Sequence, residues 1–381
     1  MVNCVRFLLL LFTLTIGFAF QACRPDTQRA ENKETEIPDC MNPAYATGFK
    51  VIWHKGQRLI QIMNPWDGQS VLQEVIIRSN PASGDLQSKG KQVIKLPVET
   101  VIALSSTQWA AFEKMDALDR VIGITESSFV QSPAMQKRLQ QGQTTDVGRH
   151  ALLKPEVILQ LMPELILYSP EKLGAPAVLS NTGLPLLAWP DYFETDPLGR
   201  AEWIKLLGIL IQKEEEALRL FNAIEEAYLQ YLELTKALEY RPTLFADKSF
   251  NEQWYIPGGN SYMARLFKDA GAQYLWADKS SAASIPMDLE SIAARALHAD
   301  FWRIAHAAPA GYDREALKKE NPLYAEFNAF KNENIIFCNT ATTAYFEKGP
   351  FEPHIILADL IHFLHPTLLP EHQAVYHEIL H

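Results

Sequence analysis

The sequence predicts an α/β protein of two α/β lobes with mainly parallel sheets, joined by one long backbone helix and preceded by a small N-terminal β-meander. Three observations lead there. Strand-like apolar runs alternate with helix-period segments on both sides of residues 199–241. Within that middle stretch Trp203, Leu207, Leu210, Leu218, Phe221, Ile224, Tyr228 and Tyr231 recur mostly at three- and four-residue steps, the spacing of a helix face. The triplet Glu214, Glu215, Glu216 places acid where a helix N-terminus attracts it, so the stretch divides into one helix ending near Gln212 and a longer one running to about Glu239. Arg241-Pro242 stops it. The longer helix would span about 36 Å, the width of a lobe. A coiled-coil arm is disfavoured, because the pattern lasts about three heptads and has no strict a/d seam.

With 381 residues, 48% of them hydrophobic, the chain can bury a large core and has room for about two or three domains. A net charge of -10 leaves no basic surface to displace counterions from phosphates, which excludes a nucleic-acid partner. At the N-terminus Arg6 precedes an apolar run from Phe7 to Phe20, closed by Gln21-Ala22-Cys23. This is the layout of a signal peptide, and the run is shorter than the roughly 20 residues a membrane span needs. Cysteine at the cleavage point resembles the bacterial lipobox, with Phe20 and Gln21 departing from its commonest form. Residues 1–22 are therefore read as the signal, Cys23 as the lipidated residue, and 23–40 as anchor and polar tether with an r.m.s. reach of about 20 to 25 Å. Cys40 and Cys338 would remain, able to pair in an oxidising envelope or to stay as thiols.

The body then follows in order. Residues 41–98 hold β-like runs, Phe49 to Trp53, Leu59 to Met63 and Val71 to Ile77, separated by turn formers, and read as an antiparallel meander. Residues 99–198 form the first lobe: strand VIAL, a helix through TQWAAFEKM, strand VIGI, helices in SPAMQKRLQ and KPEVILQLM, and strands LILYS and LPLLAW. Residues 199–241 are the linking helices. Residues 242–381 repeat the texture through TLFAD, WYIPG, the helix of NSYMARLFKDAGA, MDLESIAARALHA, FWRIA, NIIFCN and PHIILADLIHFL.

The segments GRAEWIKLLGILIQKEEEA, WYIPGGNSYMARLFKDAGAQYLWAD, MDLESIAARALHAD and ILADLIHFLHPTLLP, with the lipobox, resemble the helical-backbone substrate-binding lipoproteins of ABC importers that carry cobalamin, haem or ferric siderophores. The resemblance covers roughly residues 95 to 370, and the meander is similar to an N-terminal addition of Bacteroidetes-type members. It implies an ABC permease and its ATPase as partners, a metal-chelate ligand held between the lobes, a lipid anchor in the periplasm, a monomer, no cofactor and no enzymatic activity. It also implies two docking glutamates, matched here by Glu156 and Glu290, whose carboxylates would pair with permease arginines. Both stand near helix starts, where acid is favoured in any case.

Two lobes on one helix leave a cleft, a preferred place for a ligand. Loop residues at strand ends are the candidates for its wall: Ser105, Ser106, Thr107, Tyr192, Phe193, Trp254, Tyr255, Ser261, Tyr262 and Tyr345. Their aromatics suit a large flat ligand. A dedicated metal-ion site is disfavoured, since six of the ten histidines lie at or beyond His354; His377 and His381 share a helix face at the i, i+4 spacing but at the extreme C-terminus, where opportunistic binding is favoured over a built site, and His150 is the one histidine near a first-lobe cleft loop. The alternatives are a chelatase-like extracytoplasmic enzyme and a free metal-ion binder on the same plan. No GxxxxGK loop occurs, and GGNS at 258–261 is not a nucleophile elbow.

Overall fold

The computed structural model describes residues 41–54, 57–79, 91–150, 152–172 and 174–381; the leader, Cys23, the tether and Cys40 lie outside them. Two five-stranded sheets carry the lobes. The first runs Leu186–Ala188, Leu165–Tyr168, Val101–Ala103, Val121–Ile124, Thr145–Asp146, every pair parallel. Its central strands VIA and LILY are buried along their whole length, as strands covered by helices on both faces must be. The second runs Gln273–Tyr274, Thr243–Ala246, Phe301–His306, Ile335–Asn339, again parallel, and closes with the antiparallel strand Glu378–Ile379. Two mainly parallel α/β lobes joined through long helices are thus the architecture that the alternating texture predicts.

The link is a pair of helices, Pro197–Ile211 and Glu214–Lys236. Gln212 breaks them apart in the left-handed region at φ 55°. At the standard rise the second helix is about 35 Å long. It stops three residues short of Glu239, and Arg241 Nη2 donates to Thr235 O at 3.0 Å, satisfying one of the terminal carbonyls. The first helix is buried on nearly every face, so it belongs to the core rather than to a hinge.

The N-terminal sheet, Phe49–His54, Gln57–Met63, Val71–Arg78 and Gln92–Lys95, is antiparallel over its first three strands, but the fourth pairs parallel with the third. This differs from a pure meander, because the fourth strand serves a second purpose. Gln73 and Gln92 reach the exposed edge of the first lobe's sheet: both Nε2 groups donate to Leu186 O at 2.7 Å, while Ala188 N donates to Gln73 Oε1 at 2.8 Å and Leu186 N to Gln92 Oε1 at 2.9 Å. Two side-chain amides stand in for a missing neighbour strand and blunt the edge.

Docking of that sheet onto the link rests on two buried carboxylates. Glu202 accepts from the backbone N–H groups of Ala44, Tyr45 and Ala46 at 2.8–2.9 Å and from Lys205 Nζ at 2.7 Å. Glu194 accepts from Thr47 N and Gly48 N and from Trp203 Nε1 at 3.0 Å. The chain passes so close that a Cβ on Gly48 would stand 2.7 Å from the Trp203 ring, and one on Gly199 2.9 Å from Tyr45 O.

The C-terminal segment corrects one local expectation. Residues 377–381, HEILH, do not continue as a helix: Asp359, fully buried, accepts from the N–H groups of Val375, Tyr376 and His377 and pulls the chain straight into strand pairing. His377 and His381 flank the two-residue strand Glu378–Ile379 on non-helical chain, so the two imidazoles share no helix face. Another departure concerns Gln253–Ile256, which joins a separate antiparallel sheet with Ser249–Phe250 and Ile285–Met287 instead of the lobe's main sheet.

Glu202→Ala leaves buried Lys205 and the backbone N–H groups of Ala44, Tyr45 and Ala46 without their acceptor, and should cost about 3–5 kcal/mol in urea unfolding, with Glu202→Gln costing less. A loss of less than about 1 kcal/mol would show that the docking contact is solvated.

Candidate functional site

A cavity of about 820 Å³ lies between the lobes. Its wall is made where strands end: Leu104 and Ser105, Thr125 and Glu126, and Ser169 follow three parallel strands of the first lobe, while Ala307 and Thr340 follow two of the second. Parallel sheets expose their ligand-binding loops at the carboxyl ends of the strands, and here both lobes aim those ends at one space. Three large aromatic side chains that are exposed at its mouth, Phe129 (68%), Tyr192 (47%) and Phe346 (58%), come from separate segments of the chain. Apolar rings left in water on three sides of one cavity form a surface awaiting a partner.

The lobes touch across the cavity through polar contacts. Ser106 Oγ donates to Phe346 O at 3.4 Å, Gln131 N donates to Glu347 Oε1 at 2.6 Å, and Lys114 Nζ meets Glu352 Oε1 at 2.7 Å. Burial, reinforced by the Glu113 carboxylate, pushes the Glu347 carboxyl up against the opposing N–H donors of Gln131 and Ser132. Glu352 goes the other way: burial opposes its charge, but the Lys114 ammonium and the Tyr376 hydroxyl outweigh that and hold its carboxyl below the usual range.

The candidates read from the sequence separate into three places. Ser105, Ser106 and Tyr192 line the cavity. Ser105 also caps the helix Ser106–Lys114 through a capping box with Gln108. A second set stands behind the wall: Thr107 Oγ1 donates to Asp191 Oδ1 at 3.2 Å, Phe193 packs against Tyr192 and Trp66, and Tyr345 is 7% exposed with its hydroxyl 3.3 Å from Met263 Sδ. Tyr262 lies under the Arg200 guanidinium, its buried hydroxyl without a partner among the described residues. The rest lie elsewhere. Trp254 stacks on Trp302 in the second lobe's aromatic core, Tyr255 is exposed on the small antiparallel sheet, and Ser261 caps the helix Tyr262–Asp269. Ser261 borders a separate open concavity of about 1170 Å³, whose Arg265 and Asp269 pair with each other at 2.8 Å.

Wall residues absent from the candidates read from the sequence are Trp109, Glu126, Phe129, Gln131, Phe346 and Glu347. An aromatic residue in an otherwise polar loop, as in SSFVQS at 127–132, is the signal that would have pointed to Phe129. His150 lines the cavity with Nε2 3.8 Å from Glu171 Oε1. Among the described residues no group of three or more His, Cys, Asp or Glu side chains is placed to hold a metal ion. Glu156 and Glu290 are both exposed in the first turns of their helices, Pro155–Leu161 and Leu289–Ala296.

The family model described as periplasmic binding protein matches residues 101–342, which takes in the first lobe's sheet, the link and the four parallel strands of the second. The chain belongs to this family. An uncharacterised lipoprotein of Methanocaldococcus jannaschii is 27% identical over 347 residues, covering 84% of this chain and 81% of that one. Among solved structures, a periplasmic heme binding protein from Pseudomonas aeruginosa superposes with a TM-score of 0.55 at 18% identity, covering 71% of this chain and 94% of its own. An ABC-type Fe3+-hydroxamate transport protein from Saccharomonospora viridis gives 0.54 at 18% identity, covering 70% and 92%. These two likenesses are likenesses of fold. Membership places this periplasmic binding protein outside the cytoplasm.

The depressed Glu352 carboxyl sets a pH dependence. A carboxyl lowered in the folded chain adds stability that is complete above its unfolded value, about 4.3, and is lost as pH falls through the folded value. The difference in urea midpoint between the wild type and Glu352→Gln should therefore be constant above about pH 5 and shrink below about pH 4. A difference that stays flat down to about pH 3 would remove Lys114–Glu352 as an ionic contact between the lobes.

Proposed function

We propose that this protein is the substrate-binding component of an ABC importer, capturing a metal chelate in the inter-lobe cleft and handing it to a membrane permease driven by a partner ATPase. The observation that carries the reading is the aromatic-rimmed cavity of about 820 Å³ at the strand ends of both lobes. Its size and its exposed rings suit a bulky ligand with flat apolar surface, such as a ferric siderophore, haem or a corrinoid. The haem-binding and Fe3+-hydroxamate proteins that share the fold support the same class. No covalent step is required: ligand recognition is the protein's whole task, and the lipid anchor on Cys23 would keep it beside the permease.

Docking falls to Glu156 and Glu290. Leu152 (75%) on the preceding hairpin, Leu159 (46%) on the same helix and Met162 (76%) at its C-cap are exposed close to Glu156 in sequence, apolar surface suited to a protein partner beside a charge that would pair with arginine. Because the lobes are joined by stiff helices, the first of them buried, capture involves a small closure rather than a wide hinge rotation.

Tryptophan quenching should report saturable binding of at least one of the three chelate classes, and Glu156→Ala with Glu290→Ala should abolish uptake in cells while leaving that affinity within about twofold. Loss of affinity in the double variant would move both glutamates into ligand binding. Turnover of a substrate without chelate binding would favour an enzyme.

A further inference from the structure

We infer that the cleft accepts chelates of positive or zero net charge and rejects anionic ones, an inference that rests on the metal-chelate reading of the site. The carrying observation is the composition of the wall. Among the described residues, its acidic and basic side chains are Glu126, Glu347 and His150, and no lysine or arginine stands on it. Glu347 is 4% exposed, with Oε1 held by Gln131 N at 2.6 Å and Oε2 without a hydrogen-bond partner. The one group that could turn cationic, His150, has Glu171 3.8 Å away.

Cations on the elements that build the wall do not line it. Arg200 Nε bonds Asp191 Oδ2 at 3.1 Å and Lys114 holds Glu352. Arg303 is 3% exposed, with Nη1 3.6 Å from Asp247 Oδ1 and with Nε and Nη2 lacking a hydrogen-bond partner among the described residues. Lys348, beside Glu347 on the helix Tyr345–Lys348, is exposed and is not part of the wall. Arg149 precedes His150, is exposed, and is not part of the wall. Each of these positive charges is therefore either neutralised by a carboxylate or set back from the ligand space.

Aromatic residues add to the same preference. Trp109, Phe129, Tyr192 and Phe346 bring π systems whose negative faces attract cations and offer nothing to a carboxylate or catecholate oxygen. An anionic chelate would be moved out of water toward two carboxylates with no compensating donor of positive charge, and like charges gain strength as the local dielectric falls. A cationic or neutral chelate meets no such opposition. Glu347 comes from the second lobe and Glu126 from the first, so the discrimination is complete only when both lobes face the ligand.

The test uses ligands that differ in charge on a common metal or ring: the monocationic ferrioxamine B, neutral ferrichrome and trianionic ferric enterobactin, together with aquocobalamin and cyanocobalamin. Affinities are read from tryptophan quenching of the purified protein at low and high salt, with the double variant Glu126→Gln, Glu347→Gln in parallel; glutamine at 347 keeps the acceptor for Gln131 N. The expected result is that a cationic or neutral member binds at least about tenfold more tightly than the trianion at low salt, and that the double variant narrows the gap by about tenfold or more. Tighter binding of ferric enterobactin, or a gap that the double variant leaves unchanged, overturns the charge inference while the chelate reading stands. Binding of none of the five, nor of haem, overturns the chelate reading and this inference with it.

Discussion

Everything in this fold depends on burying the helix Pro197–Ile211, together with two carboxylates at its side, without leaving a polar group unpaired. The helix packs against the first lobe, the N-terminal sheet and the second linking helix, so it has almost no solvent face. Glu202 would be ruinous in that position if it were not surrounded by donors. Three consecutive backbone N–H groups and Lys205 supply them, and Glu194, eight residues earlier in the chain, repeats the device with Thr47, Gly48 and Trp203. Because the donors belong to the segment leading into the N-terminal sheet, satisfying the carboxylates also fixes where that sheet sits. Two glutamine amides then lock its other side to the edge of the first lobe.

With the first linking helix embedded and the second packed along the helix Pro353–Leu364, the lobes have little freedom to swing. The cleft is consequently shaped by loops on a stiff frame. Polar groups behind its wall pair among themselves, Thr107 with Asp191 and Asp191 with Arg200, which leaves the wall itself to rings, small hydroxyls and carboxylates. Contacts across the cleft are few and polar, and hydrogen bonds of that kind exchange readily with water. A frame that is rigid in its core and only lightly latched at its mouth suits a protein that must hold a ligand and release it.

Much of the plan was legible in the sequence because it is written in periodicity. Buried parallel strands announce themselves as short apolar runs, the link as a three-four repeat, and the break at Gln212 as an acidic triplet after an apolar helix. Ser105, Ser106 and Tyr192 could be placed at the cleft because they directly follow apolar runs, and in a parallel sheet the residues after a strand face the ligand side. Trp254 illustrates the limit. As an aromatic in a loop-flanked strand it reads equally well as a ligand platform or as core, and only its stacking on Trp302 at 5.9 Å says which surface surrounds it.

By itself, then, the sequence determined what local pattern can encode: two α/β lobes, the helices between them, the acidic triplet that starts the longer one, and the carboxylates at Glu156 and Glu290 that helix starts leave exposed. Tertiary structure alone decided the wall of the cleft. Glu126, Phe129, Phe346 and Glu347 are single residues on loops more than two hundred positions apart, with no repeat to mark them. It also decided the state of the chain's end, where one buried aspartate, Asp359, outweighs the helical reading of HEILH by taking three backbone N–H groups at once. Periodicity reports which side of an element faces inward. Which loops meet across a gap is set by the packing of whole lobes, and that is a property of the folded chain.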